Sequence, residues 1–300
     1  MSEGKAIGQE LSLVDVISKS FEYFRRDFVK YVILFAVVEV IFGVITTLLR
    51  HSITAGSLTT TSATGVVGLA PGALGTLFEL GGLLFIVGVI LLPIIQGTAI
   101  KMASDAISSG QTSLGAATRY SASRIVWYWV VGIIVGIIVL LGLIALVVPG
   151  IILAIMFFLA FPVVIIERQG LGSLGRSREL VSHRWLKTFA LFLVLFIIVV
   201  IGSVIAGIIG GPFGEASSIV SGILSAFYLP LLPIAETVYY YSNLARISPP
   251  PPATLFGGVP PPATLGAPAG QPERFFCPNC GSEVAARSVF CPNCGAKQPV

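Results

Sequence analysis

Residues 126–166 read VWYWVVGIIVGIIVLLGLIALVVPGIILAIMFFLAFPVVII, 41 positions from Val126 to Ile166 without one charged side chain. A helix rises 1.5 Å per residue, so this stretch would extend about 60 Å, twice the roughly 30 Å of a bilayer's hydrocarbon core. It has to fold back on itself. Pro149-Gly150 stands near the middle; proline cannot extend the hydrogen-bond ladder and glycine permits a turn, which predicts a helical hairpin bent at that pair.

The same ruler finds single crossings outside the hairpin. Tyr31 to Leu49, Leu77 to Ile100, Phe189 to Ile209 and Ile219 to Tyr239 each supply about one bilayer of apolar residues, the last interrupted by Pro230 and Pro233. Six spans result. Composition agrees: of 300 residues 55% are apolar and 11% charged, against about a quarter charged in a soluble domain. Core helices of a large soluble protein would show a polar face, and these read apolar all round. The first 30 residues are mixed in polarity and carry no short apolar core with a cleavage site, so no cleavable signal peptide is expected.

Lys and Arg near span ends collect on the cytosolic side. Lys5, Lys19, Arg25, Arg26 and Lys30 precede span one; Lys101, Arg119 and Arg124 fall between spans two and three. Arg168, Arg176, Arg178, Arg184 and Lys187 fall between four and five, and Arg246, Arg274, Arg287 and Lys297 follow span six. That puts 17 of 18 bases on one side and leaves Arg50 opposite. The expectation is a multi-pass protein of the cell or cytoplasmic membrane, in contact with membrane lipid and with both termini cytosolic.

Each odd-numbered span follows a segment opening Ser-Leu, at Ser12-Leu13, Ser113-Leu114 and Ser173-Leu174, with Phe24, Ile125 or Trp185 twelve positions after the serine. In the first copy Ser12 and Asp15 have capping-box spacing, and Val14, Ile17, Phe21, Phe24 and Phe28 recur every three or four residues. This is an amphipathic helix for the cytosolic interface, its aromatic face set in the lipid boundary or against the bundle. The unit reads as interfacial helix plus hairpin, three times, and the similar runs Pro93 to Thr98 and Pro233 to Val238 in spans two and six reinforce it. Small residues at every fourth position, Gly132 and Gly136 in span three and Gly202, Ala206 and Gly210 along span five, suit close helix packing.

The run Glu167-Arg-Gln-Gly, then Ser173-Leu174, Arg176-Ser177, Leu180 and Arg184-Trp185, resembles the membrane domain fused to some glycerophosphoryl diester phosphodiesterases and found alone in many membrane proteins. The resemblance implies a multi-helix bundle. It does not imply the phosphodiesterase, which resides in a separate barrel with metal-ligating Glu and His, while this chain has only His51 and His183.

All four cysteines lie in the tail, as Cys277-Pro-Asn-Cys280-Gly and Cys291-Pro-Asn-Cys294-Gly, with ten residues between the inner pair. Two residues between cysteines let a tight turn aim both thiolates at one tetrahedral ion, and four thiolates close its coordination shell. The expectation is a small β-type zinc ribbon with structural Zn2+ on Cys277, Cys280, Cys291 and Cys294. Disulfides or a redox pair are the competing reading, disfavoured by a cytosolic tail. Upstream, Pro-Pro-Pro-Ala-Thr-Leu occurs twice, ending at Leu255 and Leu265, which predicts an extended spacer. With only Arg274, Arg287 and Lys297 as bases, the tail is a poor nucleic-acid surface.

The expected organisation is therefore an N-terminal amphipathic helix over 1–30, a six-span all-α membrane domain over 31–247, a proline-rich linker over 248–274 and the ribbon over 275–300. Inside the spans two acids stand out: Glu39 near mid-membrane and Glu236, three residues after Pro233. Ionisable groups there are costly and face a partner or a wet cavity; with no base inside the spans, each is expected to be protonated or bonded to a hydroxyl such as Tyr228, Tyr239 or Tyr240. Glu79 lies nearer a boundary. No nucleotide-binding loop or nucleophile–His–acid set is present, so the sequence predicts a non-enzymatic scaffold or adaptor that presents the ribbon to a cytosolic protein partner. The alternative is a transporter or lipid-handling protein using Glu39 and Glu236.

Overall fold

The computed structural model describes residues 7, 9–54, 59–61, 67–69, 73–247, 275–276 and 283–284. The chain divides into two units, Met1–Pro251 and Pro252–Val300.

The first unit is helical: α1 (Leu13–Arg26), α2 (Phe28–Thr54), α3 (Ala73–Ser108), α4 (Leu114–Ser123), α5 (Ile125–Ala145), α6 (Val147–Met156), α7 (Ala160–Ile166), α8 (Gly172–Val181), α9 (Trp185–Gly210), α10 (Ser217–Ser225) and α11 (Leu231–Ile247). Between α2 and α3 a short antiparallel pair forms, β1 (Thr59–Thr61) with β2 (Val67–Leu69). Five helical stretches are long and apolar enough to cross a membrane: Phe28–His51, Phe78–Ser108, Ile125–Ala145, Val147–Ile166 and Trp185–Ser225. Many large apolar side chains on them face outward, including Ile137, Leu140, Ile144, Phe196, Ile201 and Ile208. Water would penalise such a surface; hydrocarbon does not.

The 126–166 stretch is a hairpin, as its length requires. Its bend lies at Leu146, whose backbone is extended (φ −165°, ψ 147°), three residues before the Pro149-Gly150 pair that the sequence favours. Pro149 is instead the third residue of α6. The first amide groups of a helix have no intrahelical acceptor, so a proline there loses nothing. Pro162 is likewise third in α7 and Pro233 third in α11. In all three cases the helix begins two residues ahead of its proline.

That rule also alters the last predicted crossing. Residues 219–239 do not form one helix: α10 ends at Ser225, a turn runs through Ala226–Pro230, and α11 starts at Leu231. Pro93, by contrast, is carried inside the continuous helix α3.

The short helices α1, α4 and α8 precede α2, α5 and α9. Ser12 caps α1 with the reciprocal capping box and Ser113 caps α4, whereas Ser173 is inside α8 and fully buried. The packed face of α1 differs from the one its periodicity favours. Val16, Ser20 and Phe24 are buried, while Val14 is 74% and Phe21 44% exposed. Helix α1 therefore docks one edge of its apolar arc on α11 and leaves the other open.

The dense core sits toward one end of the bundle. Tyr31, Met102, Leu159, Leu180, Leu191, Ile234 and Tyr239 are buried there, while the preceding part of α3 is exposed through Phe85 and Ile90. Beside this core the charged segments meet in one polar layer. Arg184 and Lys187 hold Glu10 at 2.8 and 2.6 Å, Lys30 holds Asp27 at 2.7 Å and the Thr112 hydroxyl at 2.6 Å, and Arg246 donates to the Leu180 carbonyl at 2.9 Å. The Leu11 amide donates to Ser242 Oγ at 2.8 Å, tying the start of α1 to the end of α11.

In the second unit, β3 (Phe275–Phe276) pairs antiparallel with β4 (Glu283–Val284), Phe276 opposite Glu283.

Candidate functional site

Helix α10 is held between α2 and α9 at backbone distance. A Cβ on Gly43 would lie 2.8 Å from Ile219 Cα, and one on Gly222 would lie 2.9 Å from the Glu39 carbonyl oxygen. On the other side a Cβ at Gly202 would meet the Tyr228 ring, in the turn after α10, at 2.7 Å, one at Gly210 would run into Ser221 Oγ, and Ala206 is buried between them. The small-residue stripe read along span five is thus the seat of α10. The pair in span three is not used this way: Gly136 faces open space and Gly132 has only ordinary contact with Phe161.

This clamp frames a cavity of about 280 Å3 between α2, α9 and α10, lined among others by Glu39, Thr46, Ser203, Ser221, Ser225 and Tyr228. Polar groups on all three helices converge on it, in a unit whose flanking positions are apolar. The Glu39 carboxyl is in hydrogen-bonding reach of Ser225. Ser225 Oγ donates to the Gly222 carbonyl at 2.6 Å, Ser221 Oγ donates to the Ala206 carbonyl at 3.1 Å, and the Ser203 and Tyr228 hydroxyls share a bond of 3.0 Å. Ser203 and Gly207 leave one wall exposed.

Of the two acids singled out in the sequence, only Glu39 lines this cavity. Glu236, half-buried in α11, lies within electrostatic range of Tyr128 on α5 instead. Of the three expected tyrosine partners, Tyr228 shares the Glu39 cavity; Tyr239 bonds Thr188 and Tyr240 bonds Glu167, each at 2.8 Å. Glu79 is exposed. The residues that sequence reasoning missed are Gly43, Gly222 and the serines of α10. Their signal was one glycine in each of two apolar segments, Gly43 opposite Ile219 and Gly222 opposite Glu39, visible only once the segments are paired.

The polar layer holds further carboxylates. Glu167 accepts from Arg176 at 3.0 Å and from Tyr240 at 2.8 Å, joining the α7–α8 turn to α11. The Arg184 guanidinium, with Lys187 beside it, holds the Glu10 carboxyl down at about 2 against its desolvation. Asp27 is also lowered: burial opposes this, but bonds from Lys30 and Thr112 together with the Arg26 charge outweigh it.

The four cysteines fall outside the described residues. What is described brackets the first pair: β3 ends one residue before Cys277 and β4 begins three after Cys280, and the two strands pair antiparallel. Cys-x-x-Cys spacing fits a zinc knuckle, and four thiolates are a zinc donor set.

Comparison with known proteins supports the tail. Residues 276–298 match the zinc-ribbon domain family. No curated protein and no solved structure matches the chain. The membrane region, including the stretch that resembles the phosphodiesterase-associated domain, has no family match of its own. The chain is thus a membrane protein by its apolar helices and carries a zinc-ribbon domain at its C-terminus.

Proposed function

We propose that this protein is a non-enzymatic membrane adaptor: a helical bundle anchors it, and the zinc ribbon, with one structural Zn2+ on Cys277, Cys280, Cys291 and Cys294, recruits a cytosolic protein. The observation that carries this is the zinc-ribbon match at 276–298 behind a proline-rich segment, on a chain with five membrane-length apolar helices. A ribbon this small has too little core to fold unaided, so the metal supplies most of its folding free energy, roughly 10–16 kcal/mol in zinc-finger peptides. The long spacer lets it reach a partner away from the bilayer.

The adaptor reading takes six crossings, with α10 and α11 together as the sixth. Support comes from the bonds between the end of α11 and Leu11 through Ser242, and the end of α8 through Arg246; an even count of crossings, ending with α11, suits such contacts. With 17 of 18 bases on one side, the polar layer is cytosolic and both termini with it. The phosphodiesterase-associated resemblance supports a bundle of this kind.

A second reading, a transporter or lipid-handling protein, is favoured by one observation, the polar cavity at Glu39. Separation of Glu236 from that cavity narrows it to a single carboxylate. The two readings part on one comparison: an adaptor loses its cellular function when the ribbon is removed and keeps it when Glu39 and Glu236 become Gln, and a transporter shows the reverse.

A further inference from the structure

The turn after α7 is pinned to the start of α5 by bonds that leave two guanidinium groups without a counter-charge. Tyr120 Oη donates to the Ile165 carbonyl at 2.8 Å and accepts from Arg168 Nε at 3.2 Å, and Arg124 Nη2 donates to the Arg168 carbonyl at 2.9 Å. The Trp127 ring covers Gly170, where a Cβ would lie 2.6 Å from it. Arg168 has φ at 58°, a backbone conformation that suits glycine and strains an arginine. Each guanidinium spends one N–H in these bonds and keeps the rest. No carboxylate among the described residues pairs with either one. Acids on the neighbouring segments are taken: Glu167 accepts from Arg176, Gln169 and Tyr240, and Asp105 pairs with Lys101, itself 5.2 Å from the Tyr120 ring.

Their location points to the source of the missing charge. Arg124 directly precedes α5, whose first outward side chains are Val126, 68% exposed, and Trp127, 40% exposed. The apolar surface of a membrane-length helix begins there, so the two arginines stand where hydrocarbon gives way to headgroups. Phosphate is the anion fixed at that level, and its paired oxygens match the guanidinium fork.

We propose that Arg124 and Arg168 bind the phosphate of an anionic phospholipid, with Trp127 against the upper part of its acyl chain. Two uncompensated positive charges favour a lipid of net negative charge over a zwitterionic one, whose own ammonium they would repel. The site needs only that α5 crosses a membrane, so it stands with either functional reading.

The test uses the purified full-length protein with Trp127 as its one tryptophan, through Trp129→Phe and Trp185→Phe, in phosphatidylcholine nanodiscs holding a minor share of phosphatidylglycerol. Bromine on the acyl chains of one lipid or the other quenches the indole that it touches. Brominated phosphatidylglycerol should quench Trp127 more than its share of the disc accounts for, and brominated phosphatidylcholine less. Arg124→Gln and Arg168→Gly each weaken that preference about fivefold, and Arg25→Gln, an equal loss of charge on α1, leaves it unchanged. Should Arg124→Gln fail to fold, Arg168→Gly decides, since its backbone suits glycine. Quenching in simple proportion to the lipid mixture, a preference that Arg168→Gly retains in full, or one that Arg25→Gln weakens as much as the other two, overturns the site. Displacement of the lipid by inorganic phosphate at constant ionic strength would overturn the lipid assignment in favour of a soluble phosphate.

Discussion

At Gly222 the absent side chain is what brings α10 onto α2. A Cβ would lie 2.9 Å from the Glu39 carbonyl oxygen, which belongs to backbone and cannot swing aside. Gly222→Ala should therefore cost about 1–3 kcal/mol, as overpacking of a close contact does, and lower the thermal midpoint in detergent. Gly136→Ala, where nothing stands in the way, should be neutral or stabilise by up to about 1 kcal/mol from helix propensity. Equal effects at both positions would refute the clamp. Glu10 offers a different test. Because Arg184 and Lys187 hold its carboxyl at about 2, below the ordinary 4.5, its contribution is complete above 4.5 and is lost as pH falls toward 2. Acid titration of the midpoint should show a loss across that window, reduced by added salt because the pair is partly exposed, and absent in Glu10→Gln. Glu39 was legible in the sequence, as an acid in an apolar run is conspicuous. Its surroundings were not, since Ser203, Ser221 and Tyr228 come from segments that only packing brings together.

Among the elements, the hairpin was legible because length alone forces it, and its bend was misplaced because proline punctuates a helix from within the first turn. Pro149, Pro162 and Pro233 each hold the third place of the helix they start. Counting two residues back from Pro149 and Pro233 gives the starts of α6 and α11, and with them the bend and the break in the last crossing. Pro93 is the exception, inside α3; Pro93→Ala should restore a backbone hydrogen bond and raise the thermal midpoint, by up to about 3 kcal/mol in stability, while Pro233→Ala should change it by less than about 1 kcal/mol. For α1 periodicity identified an amphipathic helix but not which edge of its apolar arc packs. The contact with α11 selects Val16, Ser20 and Phe24. Phe24→Ala should accordingly cost about 3–5 kcal/mol, and Phe21→Ala far less; the same thermal measurement on the two variants decides it.

At the scale of the molecule, an apolar helical bundle is followed by a zinc-ribbon domain. Composition made the membrane class plain, and the paired Cys-x-x-Cys made the ribbon plain, because both signals are local. What the ribbon binds leaves no such local trace. The central claim is that the ribbon is cytosolic and closed by zinc, and the chain supplies its own probe, since its four cysteines are Cys277, Cys280, Cys291 and Cys294. A membrane-impermeant thiol reagent should leave the protein unlabelled in intact cells, label it sparingly in permeabilised cells supplied with zinc, and label all four cysteines once a chelator is added. Labelling in intact cells would contradict the topology, and full labelling of permeabilised cells without chelator would contradict the zinc ribbon.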